Sequence, residues 1–133
     1  MRTGDRVAMA ARELVGVRFR LHGRDAATGL DCVGVAWAAL RGAGVSVVAP
    51  EGYVLRCGRW TAPVIGLVEA DGAAPGDVLL CRVSALQLHV AVRVPDGVVH
   101  ADAGLRRVVE RPGALDWPLV GAWRAGDTGL PTA

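Results

Sequence analysis

Leu88-His89-Val90-Ala91-Val92-Arg93-Val94 alternates in period two, Pro95-Asp96-Gly97 supplies a turn, and Val98-Val99-His100-Ala101-Asp102 runs back. Such alternation broken by a Pro/Asp/Gly cluster is the pattern of a β-hairpin. Val78-Leu79-Leu80-Cys81-Arg82 precedes it as an apolar run of strand length, and Arg106–Glu110 and Leu119–Trp123 follow, set off by Gly and Pro. Consecutive short strands joined by tight turns predict an antiparallel, partly closed sheet filling the second half of the chain.

The first half carries a different period. Val7, Ala8, Ala11, Leu14 and Val15 form one stripe between Asp5 and Gly16, which predicts a helix over Asp5–Val15. A second helix is expected over Cys32–Leu40, with Asp31 as N-cap and Gly42 and Gly44 as stops. Val17–Gly29 reads as a polar loop, and Val45–Pro63, which holds Tyr53, Cys57 and Trp60, shows no period. Pro63–Ala70 reads as a short helix ended by Asp71-Gly72, and Ala73–Asp77 as a turn in which the Asp77 carboxylate makes an Asx-type bond. Helices first and sheet second give an α+β fold, with one domain over residues 1–125 and a loosely ordered tail over 126–133.

The chemistry concentrates at Cys32. At the head of a helix, backbone N–H groups without helical partners favour thiolate over thiol, so Cys32 is expected to be the thiol that alkylates first. His89 and His100 both lie in the hairpin, and a helix-borne Cys with a sheet-borne His is the pairing of a thiol hydrolase. A two-residue Asp96-Gly97 turn would pair Arg93 with His100. That register sets His89 and His100 four residues apart, ~13 Å along a strand, and makes Asp102 a competing orienter of His89. Cys57 and Cys81 read as structural thiols, and His22 by itself as a loop residue.

Composition excludes several classes. No apolar run among the 133 residues approaches the ~20 needed to cross a membrane, although mean hydropathy is +0.34. A net charge of +2, with no basic stretch interleaved with aromatics, argues against nucleic acid. Three cysteines without Cys-x-x-Cys spacing predict neither a disulfide framework nor a metal site. All 15 basic residues are arginine and asparagine is absent, so the Asn that orients the histidine in many thiol peptidases must be replaced. Arg12 and Glu13 interrupt any secretory h-region near the start, so synthesis in the cytoplasm without a signal peptide is expected.

Five stretches in order carry a resemblance: Gly16-Val17-Arg18-Phe19-Arg20-Leu21-His22-Gly23, Leu30-Asp31-Cys32-Val33-Gly34-Val35, Pro75-Gly76-Asp77-Val78-Leu79-Leu80, His89-Val90-Ala91-Val92, and Val98-Val99-His100-Ala101. From about residue 5 to Arg124 the chain resembles the NlpC-type cell-wall cysteine peptidases. It is similar in particular to short members encoded with phage tails and gene transfer agents. The resemblance implies a papain-like fold and hydrolysis of peptidoglycan stem peptides, typically between D-γ-glutamate and diaminopimelate, without a metal or organic cofactor. It implies Cys32 as nucleophile, His89 as base and His100 as its orienter, with Phe19, Arg20, His22, Arg24 and Asp31 around substrate and oxyanion. Phe19 stands where members carry Tyr and Val33 where they carry Ser, so no hydroxyl is offered from position 19.

Two other readings share these residues. One is a non-enzymatic assembly module of a tail-like particle; the other is a thiol amidase or acyltransferase acting on a different substrate. Incorporation into a tail or tail-like particle would bring the protein to the cell wall, with Trp117, Pro118 and Trp123 as the expected docking surface.

Overall fold

The computed structural model describes residues 1–50 and 66–126. Two helices, α1 (Thr3–Glu13) and α2 (Cys32–Gly42), pack on one face of an antiparallel sheet of order β3-β8-β4-β5-β6-β7. Its strands are β3 (Val68–Glu69), β4 (Val78–Ser84), β5 (Gln87–Val94), β6 (Gly97–Asp102), β7 (Arg107–Pro112) and β8 (Leu119–Arg124). A separate ribbon pairs β1 (Arg24–Asp25) with β2 (Gly29–Leu30) inside the segment expected to be a loop. The α+β architecture is as anticipated, but the sheet is open, with β3 and β7 as its edges. The helix expected at Pro63–Ala70 is overturned where it is described: Val68 and Glu69 pair with Arg124 and Trp123 as an edge strand. Cross-strand bonds to β8 outweigh a local helical preference that six or seven residues cannot sustain alone. Tyr53, Cys57, Trp60 and tail residues 127–133 lie outside the described residues.

Alternation along the strands divides the interior in two. Val78, Leu80, Leu88, Val90, Val92, Val94, Val99, Ala101 and Val108 face the helices, meeting Val7, Ala8 and Ala11 of α1 and most of α2. Leu79, Cys81, Ala91, Val98 and Ala122 face the other way, where Leu115 and Trp117 cover them. Small residues bring α2 close to its neighbours, since a Cβ at Gly34 would overlap the Gly23 carbonyl oxygen. Trp37 is 1% exposed and still satisfies its indole N–H, 3.0 Å from the Val48 carbonyl. Burial of that ring contributes ~3 kcal/mol and fixes α2, hence Cys32, against the sheet.

The hairpin turns one residue earlier than expected. Val94 pairs with Gly97, Arg93 with Val98 and Val92 with Val99, so the two-residue loop is Pro95-Asp96, with Asp96 at φ 64°. Gly97 is confined by the neighbouring strand, because a Cβ there would strike the Arg111 carbonyl. Only a glycine sits at that crowded corner, and this moves the loop off the Asp96-Gly97 pair that propensity favours.

Candidate active site

Asp31 builds the start of α2. Its Oδ1 accepts the Gly34 N–H at 2.7 Å, the N-cap bond, and also a 3.0 Å bond from Arg24 Nη1. Its Oδ2 accepts the His22 backbone N–H at 3.1 Å. Arg24 reaches the Gly23 and Pro50 carbonyls as well. The buried Asp31, the expected N-cap, and the Arg24 guanidinium paired with it both serve the helix start. His22, at φ 58°, is exposed and contributes its backbone to the same cap.

Cys32 follows directly and is 4% exposed. Three backbone N–H groups, those of Val90, Val33 and Cys32 itself, hydrogen-bond its sulfur and favour the thiolate. Burial outweighs them and, with Asp31 adding a repulsive negative charge, pushes the thiol up to about 12. The expectation that the helix start would lower this pKa is thus corrected. The helix-start amides act in the anticipated direction, but desolvation of a buried thiolate is the larger effect.

The Val90 contact locates the sulfur. In the observed hairpin register the bonded pairs are Val94/Gly97 and Val92/Val99, so the next inward-pointing N–H toward β6 belongs to Val90. Pairing between β5 and β6 stops at Val92/Val99, and that N–H goes to Cys32 instead. The thiol therefore lies where β5 and β6 part, one residue along β5 from His89.

His89 Nε2 is 2.8 Å from His100 Nδ1, a hydrogen bond across the two strands. Burial and the neighbouring His100 push His89 down to about 4, with Asp102 opposing. Burial likewise lowers His100, Asp102 opposing and Arg111 adding to the fall. Asp102 acts on the pair only through space: its Oδ1 accepts the Leu105 N–H at 2.9 Å, and the His89 bond goes to His100. Among the described residues no group of His, Cys, Asp or Glu side chains could hold a metal ion.

The remaining expected residues lie in the segment between α1 and β1. Phe19 is half-buried against the helix-side core, bridged to Leu30. Arg20 is exposed, and a Cβ at Gly29 would come within 2.6 Å of Arg20 Cβ and 3.1 Å of Arg18 Cγ, so both arginines flank that glycine. Arg18 pairs with Arg107, which pairs with Asp102. Cross-strand partners share a side, so Arg18, Arg20 and Arg107 project from the same side of the sheet as Asp102 and His100. Two neighbours escaped sequence reading. Trp117, expected on a docking surface, packs its ring against both His89 and His100, while Trp123 packs against the helix-side core. The Val90 N–H carries no side-chain signal at all.

No known sequence family matches the chain, and no curated protein does. Solved structures do. NlpC2 from Trichomonas vaginalis superposes with a TM-score of 0.68 at 17% identity, covering 92% of this chain and 48% of that one. An NlpC/P60 family protein from Bacillus cereus gives 0.63 at 20% identity, covering 91% and 39%. The peptidoglycan hydrolase RipB from Mycobacterium tuberculosis gives 0.58 at 22%, covering 92% and 64%. The chain spans less than half the length of the first two. This likeness lies in backbone architecture, and on it the chain is shown to have the NlpC/P60 fold.

Proposed function

We propose that the chain is a cysteine peptidase that hydrolyses peptidoglycan stem peptides, at the bond between D-γ-glutamate and diaminopimelate. The observation that carries this reading is the adjacency along β5: the Val90 N–H bonds the helix-start thiol, and the preceding residue, His89, is hydrogen-bonded to a second histidine, His100. Similar folds bear the names of peptidoglycan hydrolases, RipB and SagA among them.

The resting pair is neutral, thiol and imidazole. As the Cys32 sulfur attacks the amide carbonyl carbon, its proton passes to His89 Nδ1, the nitrogen not engaged by His100. For Nδ1 to be basic, His89 must carry its proton on Nε2 and donate it to His100 Nδ1, which leaves the His100 proton on its own Nε2. The Cys32 and Val33 N–H groups stabilise the oxyanion, which compensates for the hydroxyl Phe19 lacks. Collapse of the tetrahedral intermediate breaks the C–N bond, His89 returns the proton to the leaving amine, and a thioester remains. Water, deprotonated by His89, hydrolyses that thioester and restores the thiol. Arg20, with Arg18 and Arg107, receives the substrate carboxylates; among the described residues no carboxylate pairs with these three guanidiniums.

The low exposure and raised pKa of Cys32 favour a second reading, a connector that keeps the fold without the chemistry, as in a tail-like particle. A γ-D-glutamyl-diaminopimelate peptide separates the two. The peptidase reading requires release of a new amine that Cys32→Ala abolishes; binding without cleavage, or full activity in Cys32→Ala, overturns it.

A further inference from the structure

One large side chain stands against the histidine pair with no part in the chemistry above. Trp117 lies between β7 and β8, its ring centroid 5.3 Å from that of His89 and 5.1 Å from that of His100, at interplanar angles of 83° and 89°. The imidazoles themselves are 4.9 Å and 85° apart, so the three rings pack edge to face, each against the other two. Arg111 seals the assembly from outside: its guanidinium carbon is 4.9 Å from the Trp117 centroid, and its Nη2 is 2.8 Å from Asp116 Oδ2.

His100 Nε2 is buried and has no hydrogen-bond partner among the described residues. With that Nε2 cut off from water, the ring stays neutral, because a second proton on it would place a charge with nothing to solvate it. His100 is 3% exposed, and Trp117 contributes an aromatic wall to its surroundings. Charged and titratable groups share the face of the pair: Asp102 on β6, Arg107 and Arg111 on β7, Cys81 on β4 opposite His89, Arg93 on β5, and Asp116 through Arg111.

We propose that Trp117 is a positioning residue for the histidine pair, holding the two imidazoles in their hydrogen-bonded, mutually perpendicular orientation and keeping water from the far side of His100. Its catalytic significance rests on the peptidase reading, but its effect on the histidines does not. Without the ring, water reaches Nε2, the imidazole edge is free to rotate, and a proton can be accommodated on the pair near neutral pH. A Phe retains part of the wall, whereas a Leu fills volume without presenting an aromatic face.

The test is an NMR titration of the imidazole nitrogens in the Cys32→Ala protein, which needs no turnover, combined with Trp117→Ala, Trp117→Leu or Trp117→Phe. With Trp117 present, His89 should remain neutral down to pH 5. Trp117→Ala and Trp117→Leu should raise the proton affinity of at least one imidazole tenfold or more, toward the ordinary midpoint near 6.5, and Trp117→Phe should raise it less. Where the Ala variant does not fold, the Leu and Phe variants decide. Unchanged titrations, or equal shifts in Leu and Phe, overturn the proposal. In the chain with Cys32 intact, the acid limb of kcat/KM should move with the NMR midpoint; an NMR shift in a protein that cleaves nothing would sink the peptidase reading and leave the positioning role standing.

Discussion

His89 and His100 meet at 2.8 Å because the hairpin register offsets them by two residues, not four. Continuing the Val92/Val99 pairing places Ala91 opposite His100, so His89 reaches a diagonal neighbour. A two-residue offset is ~7 Å along the strand, a gap that two imidazoles leaning toward each other close. If His100 orients His89, His100→Ala should lower kcat about 100-fold or more with KM little changed. Asp102→Asn should cost about threefold or less, since Asp102 acts through space. Steady-state kinetics on the two variants checks this, and equal losses would return Asp102 to the orienting role.

The pH profile follows from burial. In the proposed mechanism His89 must be neutral to accept the thiol proton, so its value of about 4 predicts an acid limb of kcat/KM near pH 4. The thiol at about 12 leaves no basic limb below pH 9. Stability changes in the same acid window. A histidine whose folded pKa is depressed binds fewer protons folded than unfolded, so its contribution is complete above the unfolded value near 6.5 and is lost as pH falls toward 4. That loss is roughly 3 kcal/mol. Thermal melts at pH 7 and pH 4.5 measure it.

A buried, protonated thiol also changes the labelling expected of Cys32. At pH 7 iodoacetamide should modify native Cys32 and Cys81 slowly, both being nearly inaccessible, and both rapidly in denaturant. An acylating stem-peptide analogue should label Cys32 and spare Cys81, because binding brings the carbonyl to His89 and the helix start together. Mass spectrometry distinguishes the sites; rapid native alkylation of Cys32 by iodoacetamide would show an accessible, activated thiol.

Sequence reading reached the elements whose signals are local. Asp31 preceding an apolar run marked the start of α2, and alternation around Val90 and Val99 marked the hairpin. What it misjudged depends on tertiary context. The Arg111 carbonyl against Gly97 set the turn, and desolvation decided the Cys32 pKa. Trp117 read as a surface residue because nothing nearby in sequence announces two histidines beneath it. Asp77 shows the same limit. Its bond from the Ala74 N–H at 3.1 Å is the expected turn, but its main partner is 47 residues away.

That partner is Arg124, whose Nε and Nη2 hold the fully buried Asp77 carboxylate at 2.7 and 2.8 Å. Arg124→Ala leaves a buried carboxylate with only backbone partners and should destabilise by roughly 2–4 kcal/mol, discounted for the partly exposed guanidinium. Asp77→Asn, which removes the charge that needed pairing, should cost less. Urea denaturation compares the two, and a larger loss in Asp77→Asn would contradict the order.

The exposed arginines make the last prediction. Arg18 and Arg107 occupy directly opposed positions, and like charges so placed destabilise a strand pair unless something neutralises them. Both are exposed, as is Arg20, and all three lie on the side of the sheet that carries His100. Asp102 stands opposite Arg107, and on the proposed function the carboxylates of a stem peptide meet Arg18 and Arg20. Arg20→Ala and Arg18→Ala should therefore raise KM for an acidic stem peptide by roughly tenfold each, with kcat nearly unchanged, because the contact forms in ground state and transition state alike. Arg24→Ala should behave differently: it loosens Asp31 at the helix start, lowering kcat and thermal stability together. Raising salt should weaken substrate binding in the parent protein and have little effect in the Arg18→Ala/Arg20→Ala double variant. An unchanged KM in that double variant, with amidated and free-acid peptides cleaved equally well, would remove the arginines from substrate recognition.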